Sequence, residues 1–252
     1  MLKLEYLGID MKNNKNIVVY WSPFNYDNVI DWDMFYSKPE KLYSNLHQKK
    51  SKNKNLTSYF SCPAFKERSE NIFLMKNTIE NNIKVLDGKL INSSSDNVKI
   101  SHKESIENRP IVSVYYPIIM FSEESLKVTV TPAYMHKTSY SEFGHVVMGS
   151  FDIGKWFRPI NLDFMLYNKD ADFSFKDEEP LYYLDFNTEK SIILKKFNMT
   201  NEILKISNAC TTAPDYLKPW QSLSKRYNLF IKSGLKNKLI KEITNNIVKE
   251  NE

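Results

Sequence analysis

Glycine is scarce in this chain, with six residues in 252. That is too few for glycine-rich phosphate loops or for the turn glycines of β-helical and propeller repeats. The two cysteines, Cys62 and Cys210, lie far apart and form no metal-ligand spacing, so an intracellular chain with free thiols is the default. No run approaches the roughly 18 apolar residues of a membrane span. The opening MLKLEYLGIDMKNN lacks the charged and then apolar regions of a signal peptide. A soluble, cytoplasmic protein without membrane attachment is expected. Nucleophile-elbow, Walker, GxGxxG and HExxH patterns are all missing, which removes the usual sequence support for several enzyme classes.

What is present is a globular composition, 42% hydrophobic and 13% aromatic, in a length that suits one β-rich domain with a helical appendage. The net charge is +5, with lysines thickening at 49–54 and 225–249. Abundant Lys, Asn and Ile beside rare Ala and Gly is the signature of an AT-rich coding sequence, which accounts for basic charge without invoking a partner.

Two-residue periodicity runs through the middle of the chain. Leu126, Val128 and Val130 alternate with Lys127, Thr129 and Thr131; Leu162, Phe164 and Leu166 with Asn161, Asp163 and Met165; Tyr182, Leu184 and Phe186 with Tyr183 and Asp185. Such alternation gives a strand one buried and one wet face. Further strands are expected at 17–21, 72–76, 83–86, 89–91, 98–101, 111–121 (broken at Pro117) and 192–197, with Asp87-Gly88 as a hairpin turn. A short helix is expected over 38–48, with Pro39 in its first turn, and a polar loop over 49–55. Thr200 is placed to cap a helix over 201–208. Leu223, Tyr227, Ile231, Leu235, Leu239, Ile243 and Ile247 recur every four residues, an amphipathic helical signal that Gly234 divides. Pro214 and Pro219 bound the connector between. The fold class is therefore mainly β, an antiparallel β-sandwich or jelly-roll-like domain with a C-terminal helical segment. Its parts are an N-terminal extension with a short helix (1–60), the core (61–199) and C-terminal helices packed on it (200–252).

The runs FSEESLKVTVTPAYMH (121–136), FDIGKWFRPINLDFML (151–166), EEPLYYLDF (178–186) and LSKRYNLFIKSGLKNKLIKEI near the end resemble an uncharacterised family of proteins from marine tailed phages, over roughly residues 60–245. The resemblance implies a phage-encoded protein in the host cytoplasm, or alternatively in the virion. It implies no activity.

Candidate chemistry is sparse. His136, His145 and Asp152 (or Glu142) are the only clustered set able to offer the two-imidazole, one-carboxylate ligation that holds a divalent ion with open positions, although cupin spacing is absent. Cys62 precedes a proline and has Lys66 and Arg68 near it in sequence, yet no Cys/His/Asp order accompanies it, and a structural thiol is the simpler reading. The paired acids 123–124 and 177–179 fall in turns. Lys155, Trp156 and Arg158, with Tyr134, are the candidate ligand or partner surface, because Trp and Arg are the pair most enriched at binding hot spots; the alternative is that Trp156 plugs one end of the sandwich. The aromatic cluster Trp21, Phe24, Tyr26, Trp32, Phe35 and Tyr36 suits stacking on sugars or bases, or a satellite core. The lysines of the last helices read as a solvated face, or at most a weak phosphate-contacting patch.

The expected function is thus a non-catalytic binding protein for a small molecule or protein partner. The alternatives are a metal-dependent enzyme on a cupin-like sandwich and a virion structural component. Nucleic acid and membrane are not expected partners; cofactor and oligomeric state stay open.

Overall fold

Along Pro159–Leu166 the side chains of Ile160, Leu162, Phe164 and Leu166 are buried, while those between them are not. That alternation sets the architecture of the computed structural model, which describes residues 16–24, 37–52, 62–94, 98–101, 109–211 and 223–249. In chain order the elements are β1 (Ile17–Pro23), β2 (Glu40–Lys41), α1 (Leu42–Lys52), α2 (Pro63–Ser69), β3 (Ile72–Lys76), β4 (Asn81–Leu86), β5 (Lys89–Ser93), β6 (Val98–Ser101) and β7 (Ile111–Ser122). There follow β8 (Lys127–Pro132), β9 (Gly144–Val146), β10 (Gly149–Asp152), β11 (Pro159–Leu166), β12 (Ala171–Phe175), β13 (Pro180–Phe186), β14 (Ile192–Lys196), α3 (Asn201–Thr211), α4 (Leu223–Lys232) and α5 (Leu235–Asn245).

The protein is mainly β. One sheet runs β14-β1-β7-β11-β9, with β6 also on β7; a second runs β10-β8-β13-β3-β2; a third, β12-β4-β5. The inward faces of all three meet in one core that includes Trp21, Val112, Val128, Phe164, Phe175 and Leu184. Both outer faces of this sandwich are covered. Tyr20, Ile119, Phe121 and Phe197 of the first sheet pack on Ile203 and Ile206 of α3, Phe230 of α4, and Leu239 and Ile243 of α5. Ile72, Leu74 and Tyr183 of the second pack on Leu42 and Leu46 of α1. With helices on both outer faces, Tyr183 and Asp185 are buried like their inward neighbours.

The pairing is antiparallel except for β1 with β14, which run parallel from Ile17↔Ile192 to Trp21↔Lys196. The segment read as an N-terminal extension therefore supplies β1 to the middle of the first sheet, between β14 and β7.

Pro117 does not break its strand. One edge of β7 pairs with β6 over 111–114 and with β1 over 118–122, so the residue without an N–H falls between the two ladders. On the other edge Ile160 pairs with Ile118 and Leu162 with Val114, so three residues of β7 face the single Asn161 in a bulge. The helix expected over 38–48 begins four residues later, at Leu42, because Glu40 and Lys41 pair with Leu74 and Phe73 of β3. It continues to Lys52, through the start of the expected loop.

Asp87 and Gly88 form the turn joining β4 to β5, at φ 47° and 72°, the left-handed pair a two-residue hairpin needs. The Thr200 hydroxyl accepts the Ile203 N–H at 3.3 Å, capping α3. Gly234, at φ 75°, separates α4 from α5. The four-residue stripe holds for Leu239 and Ile243 but not for Ile231, which is exposed while Phe230 is buried. Steps of four residues drift about 40° each around a 3.6-residue helix, so a stripe spaced by fours winds away from the buried face on which Phe230 lies. The connector around Pro214 and Pro219, and Tyr26, Trp32, Phe35 and Tyr36, lie outside the described residues; Trp21 and Phe24 are core.

Candidate functional site

Cys62 is extended (φ −82°, ψ 116°) and Pro63 occupies the first turn of α2. Proline forbids the preceding residue a helical conformation and fits helix position one itself, so this dipeptide fixes where α2 starts. From the last turn of α2 Arg68 reaches the outer face of β13, where its guanidinium donates to both carboxylate oxygens of Asp185, one at 2.9 Å. The Asp185 side chain is only 12% exposed and that of Arg68 is 63%. The carboxylate thus sits at the bottom of an opening and the guanidinium near its lip. Hydrogen bonding to Asp185 outweighs partial burial and raises the Arg68 pKa further.

The opening is a groove of about 990 Å³ lined by Ala64, Glu67, Arg68, Glu70 and Asn71 on one side and by Thr129 and residues 185–189 on the other. Asn71 holds the far wall by donating to the carbonyls of Thr188 at 2.8 Å and Lys190 at 2.9 Å. Among the described residues lining it, four carboxylates, those of Glu67, Glu70, Asp185 and Glu189, accompany one cation, Arg68. Glu67, Glu70 and Glu189 are exposed and form no ion pair among the described residues.

Beside the groove lies Tyr134, one of the expected binding residues. It is 59% exposed, and its ring meets Tyr183 edge-on at 5.1 Å. Burial of the hydroxyl raises its pKa, partly opposed by Arg68 and reinforced by Asp185.

His136 is held in a chain of hydrogen bonds. The Tyr183 hydroxyl accepts the Met135 N–H at 3.1 Å and lies 2.6 Å from His136 Nδ1. His136 Nε2 lies 3.2 Å from Asn45 Oδ1, and Asn45 Nδ2 donates to Glu40 at 2.7 Å. Lys76 completes the run with bridges to Glu40 at 2.7 Å and Glu178 at 3.0 Å. One tautomer satisfies every member: Tyr183 donates to Nδ1, and Nε2–H donates to Asn45.

The three expected metal ligands are not brought together. Among the described residues no group of three His, Cys, Asp or Glu side chains is placed to hold an ion. His136 belongs to the chain just described. His145, on β9, packs its ring 5.5 Å from Tyr167. Asp152 ends β10 and accepts from the Ser125 hydroxyl and from the N–H groups of Leu126 at 3.1 Å and Gly154 at 2.9 Å. Lys155 lies 3.4 Å from it. Adjacency in sequence misleads here because β9 and β10 belong to different sheets.

The Trp156 corner fastens the helical layer to the sandwich. Its half-buried ring packs against Phe151 at 5.6 Å and Tyr227 of α4 at 5.2 Å, with the Arg158 guanidinium 4.8 Å above it. Phe157 between them is fully buried, edge-on to Phe121. Cys210 of α3 is nearby, its thiol pushed up to about 11 by burial, with Arg158 opposing.

The sequence pointed to Arg68 only as a neighbour of Cys62 and to Asp185 only as a wet-face residue of its strand. Its available signal was a carboxylate inside the apolar run LYYLDF. Comparison with protein-family models, with curated proteins and with solved structures found no match.

Proposed function

We propose that this protein is a binding protein whose ligand is cationic, an amine or a Lys/Arg-bearing peptide segment, seated in the groove between α2 and the end of β13. The observation that carries this reading is a concave opening on a basic protein in which four carboxylates face one guanidinium. Opposite charge in a walled opening concentrates a cation and steers its approach. Asp185 is engaged by Arg68 through both oxygens, so the exposed carboxylates of Glu67, Glu70 and Glu189 are the ones that meet an incoming guanidinium or ammonium. Exposed Tyr134 at the rim adds an aromatic face. The tailed-phage origin belongs to this proposal and is supported by the sequence motifs alone.

Calorimetric titration with spermidine and with an Arg-Lys tripeptide at low salt tests the reading. Binding is expected, weakened at least about fivefold by Glu67→Gln/Glu70→Gln/Glu189→Gln, a loss of about 1 kcal/mol. Absence of binding by both probes, or affinity untouched by the triple substitution, overturns it.

A further inference from the structure

The basic charge of this protein is segregated. Residues 223–249 contain seven lysines and arginines and one acid, Glu242, whereas the whole chain is only +5. Residues 41–66 are a second acid-poor stretch, with six lysines and no Asp or Glu, and Glu250 and Glu252 follow Lys249, so what distinguishes 223–249 is where the fold puts its lysines.

The fold sorts these lysines further. Lys236 donates to the Glu123 carbonyl at 2.8 Å, and Lys238 bridges to Glu202 of α3 at 2.9 Å. Lys225 and Lys232 of α4, Lys241 of α5 and Lys249 just beyond it are exposed and make no ion pair among the described residues. Lys195 of β14, also exposed, has its side chain on the same outer side of the first sheet as Phe197, which the helices cover. On α4 the exposed positions Lys225, Asn228, Leu229 and Lys232 form a single stripe; on α5 Asn237, Lys238, Lys241, Thr244 and Asn245 form another. Lysines interleaved with amides and hydroxyls are the set that contacts phosphate and sugar.

We infer that the solvent face of α4 and α5 binds the phosphate backbone of duplex nucleic acid without sequence preference. The surface is distinct from the groove and independent of the groove's ligand. A duplex is favoured over a single strand because the described part of this face exposes no aromatic ring for bases to stack on; Tyr227 packs against Trp156. A duplex is favoured over a lipid surface because the apolar faces of both helices are buried on the first sheet. Among the described side chains of α4 the exposed apolar ones are Leu229 and Ile231, short of the continuous apolar face that a membrane-lying helix inserts.

The test is fluorescence anisotropy of labelled duplexes of two unrelated sequences, about 20 base pairs long, titrated across a salt series. Four to five phosphate contacts predict a log–log salt slope of about −4. Both sequences are expected to bind alike. Lys225→Gln/Lys232→Gln/Lys241→Gln should lower affinity at least about tenfold at low salt and reduce the slope by about 3. Lys89→Gln/Lys127→Gln/Lys176→Gln removes the same charge from exposed positions elsewhere and should retain most of the affinity and the full slope. Failure to bind, equal losses in the two triple variants, or a preference for anionic phospholipid vesicles that Leu229→Ser/Ile231→Ser abolishes would each overturn the inference.

Discussion

Arg68 and Asp185 form a fork-to-fork ion pair between a short helix and the central strand of the second sheet, with the acid buried and the base open to solvent. Truncating Arg68 strands a desolvated carboxylate, which costs several kcal/mol in a fully buried pair and much less in an exposed one. Arg68→Ala is therefore expected to lower unfolding free energy by about 1–2 kcal/mol, and Arg68→Ala/Asp185→Asn to recover part of that loss. Urea denaturation of the two variants and Asp185→Asn checks the cycle; strictly additive losses would deny the coupling.

The chain from Tyr183 through His136 to Asn45 requires the Nε2–H tautomer. Nitrogen-15 NMR of the imidazole should show Nδ1 as the acceptor, and Tyr183→Phe should cost about 1 kcal/mol by removing the hydroxyl that the part-buried Met135 N–H and His136 share. An Nδ1–H signal at neutral pH would contradict the arrangement.

How far sequence led can be judged from particular residues. The strands holding Val128 and Phe164 were legible because one face of each is wet and the other dry, and the Asp87-Gly88 turn because few residues adopt left-handed backbone, whereas β9 and β10 are too short to show an alternation. Tyr183 and Asp185 were misleading for the opposite reason: α1 and α2 cover the outer face, and period two vanishes when both faces are buried. The parallel partner of β1 was illegible because register between Ile17 and Ile192 depends on contacts 175 residues apart. Arg68, at the end of a seven-residue helix, had no periodic signal to announce it. The supposed metal set failed because neighbours in sequence ended in separate sheets.

Gly154 allows two turns to touch. A Cβ built there would lie 2.1 Å from the Glu124 carbonyl oxygen, whereas at Gly149 nothing lies within 4 Å. Gly154→Ala must displace backbone and should cost about 2–3 kcal/mol, while Gly149→Ala should stay within about 0.5 kcal/mol of wild type. Comparable thermal melting of the two variants would refute the steric account.

Asp152 anchors the same turn. Burial alone would raise its pKa, but hydrogen bonds from Ser125, Gly154 N–H and Leu126 N–H, with the charge of Lys155, hold it below the ordinary 3.8. A carboxylate favoured in the folded state stabilises above its unfolded pKa, and that contribution disappears as pH falls through the lower folded value. Asp152→Asn should thus be less stable than wild type at pH 7, with the gap narrowing below about pH 4. Paired denaturation curves at both pH values read this out; a gap independent of pH would dismiss it.

The two thiols should react unequally. Cys62 is exposed and Cys210 is half-buried, with its thiolate disfavoured by burial. A thiol reagent under native conditions is expected to label Cys62 quickly and Cys210 only slowly, until denaturant is added. Equal rates would place Cys210 outside the packed layer.

The parallel seam between β1 and β14 also governs the order of assembly. β1 waits for a strand about 175 residues further on before both its edges are paired, and contacts so distant along the chain form late. A polypeptide ending before Ile192 leaves Ile17–Trp21 with an apolar edge open to any passing strand, so the first sheet closes only once β14 has been made.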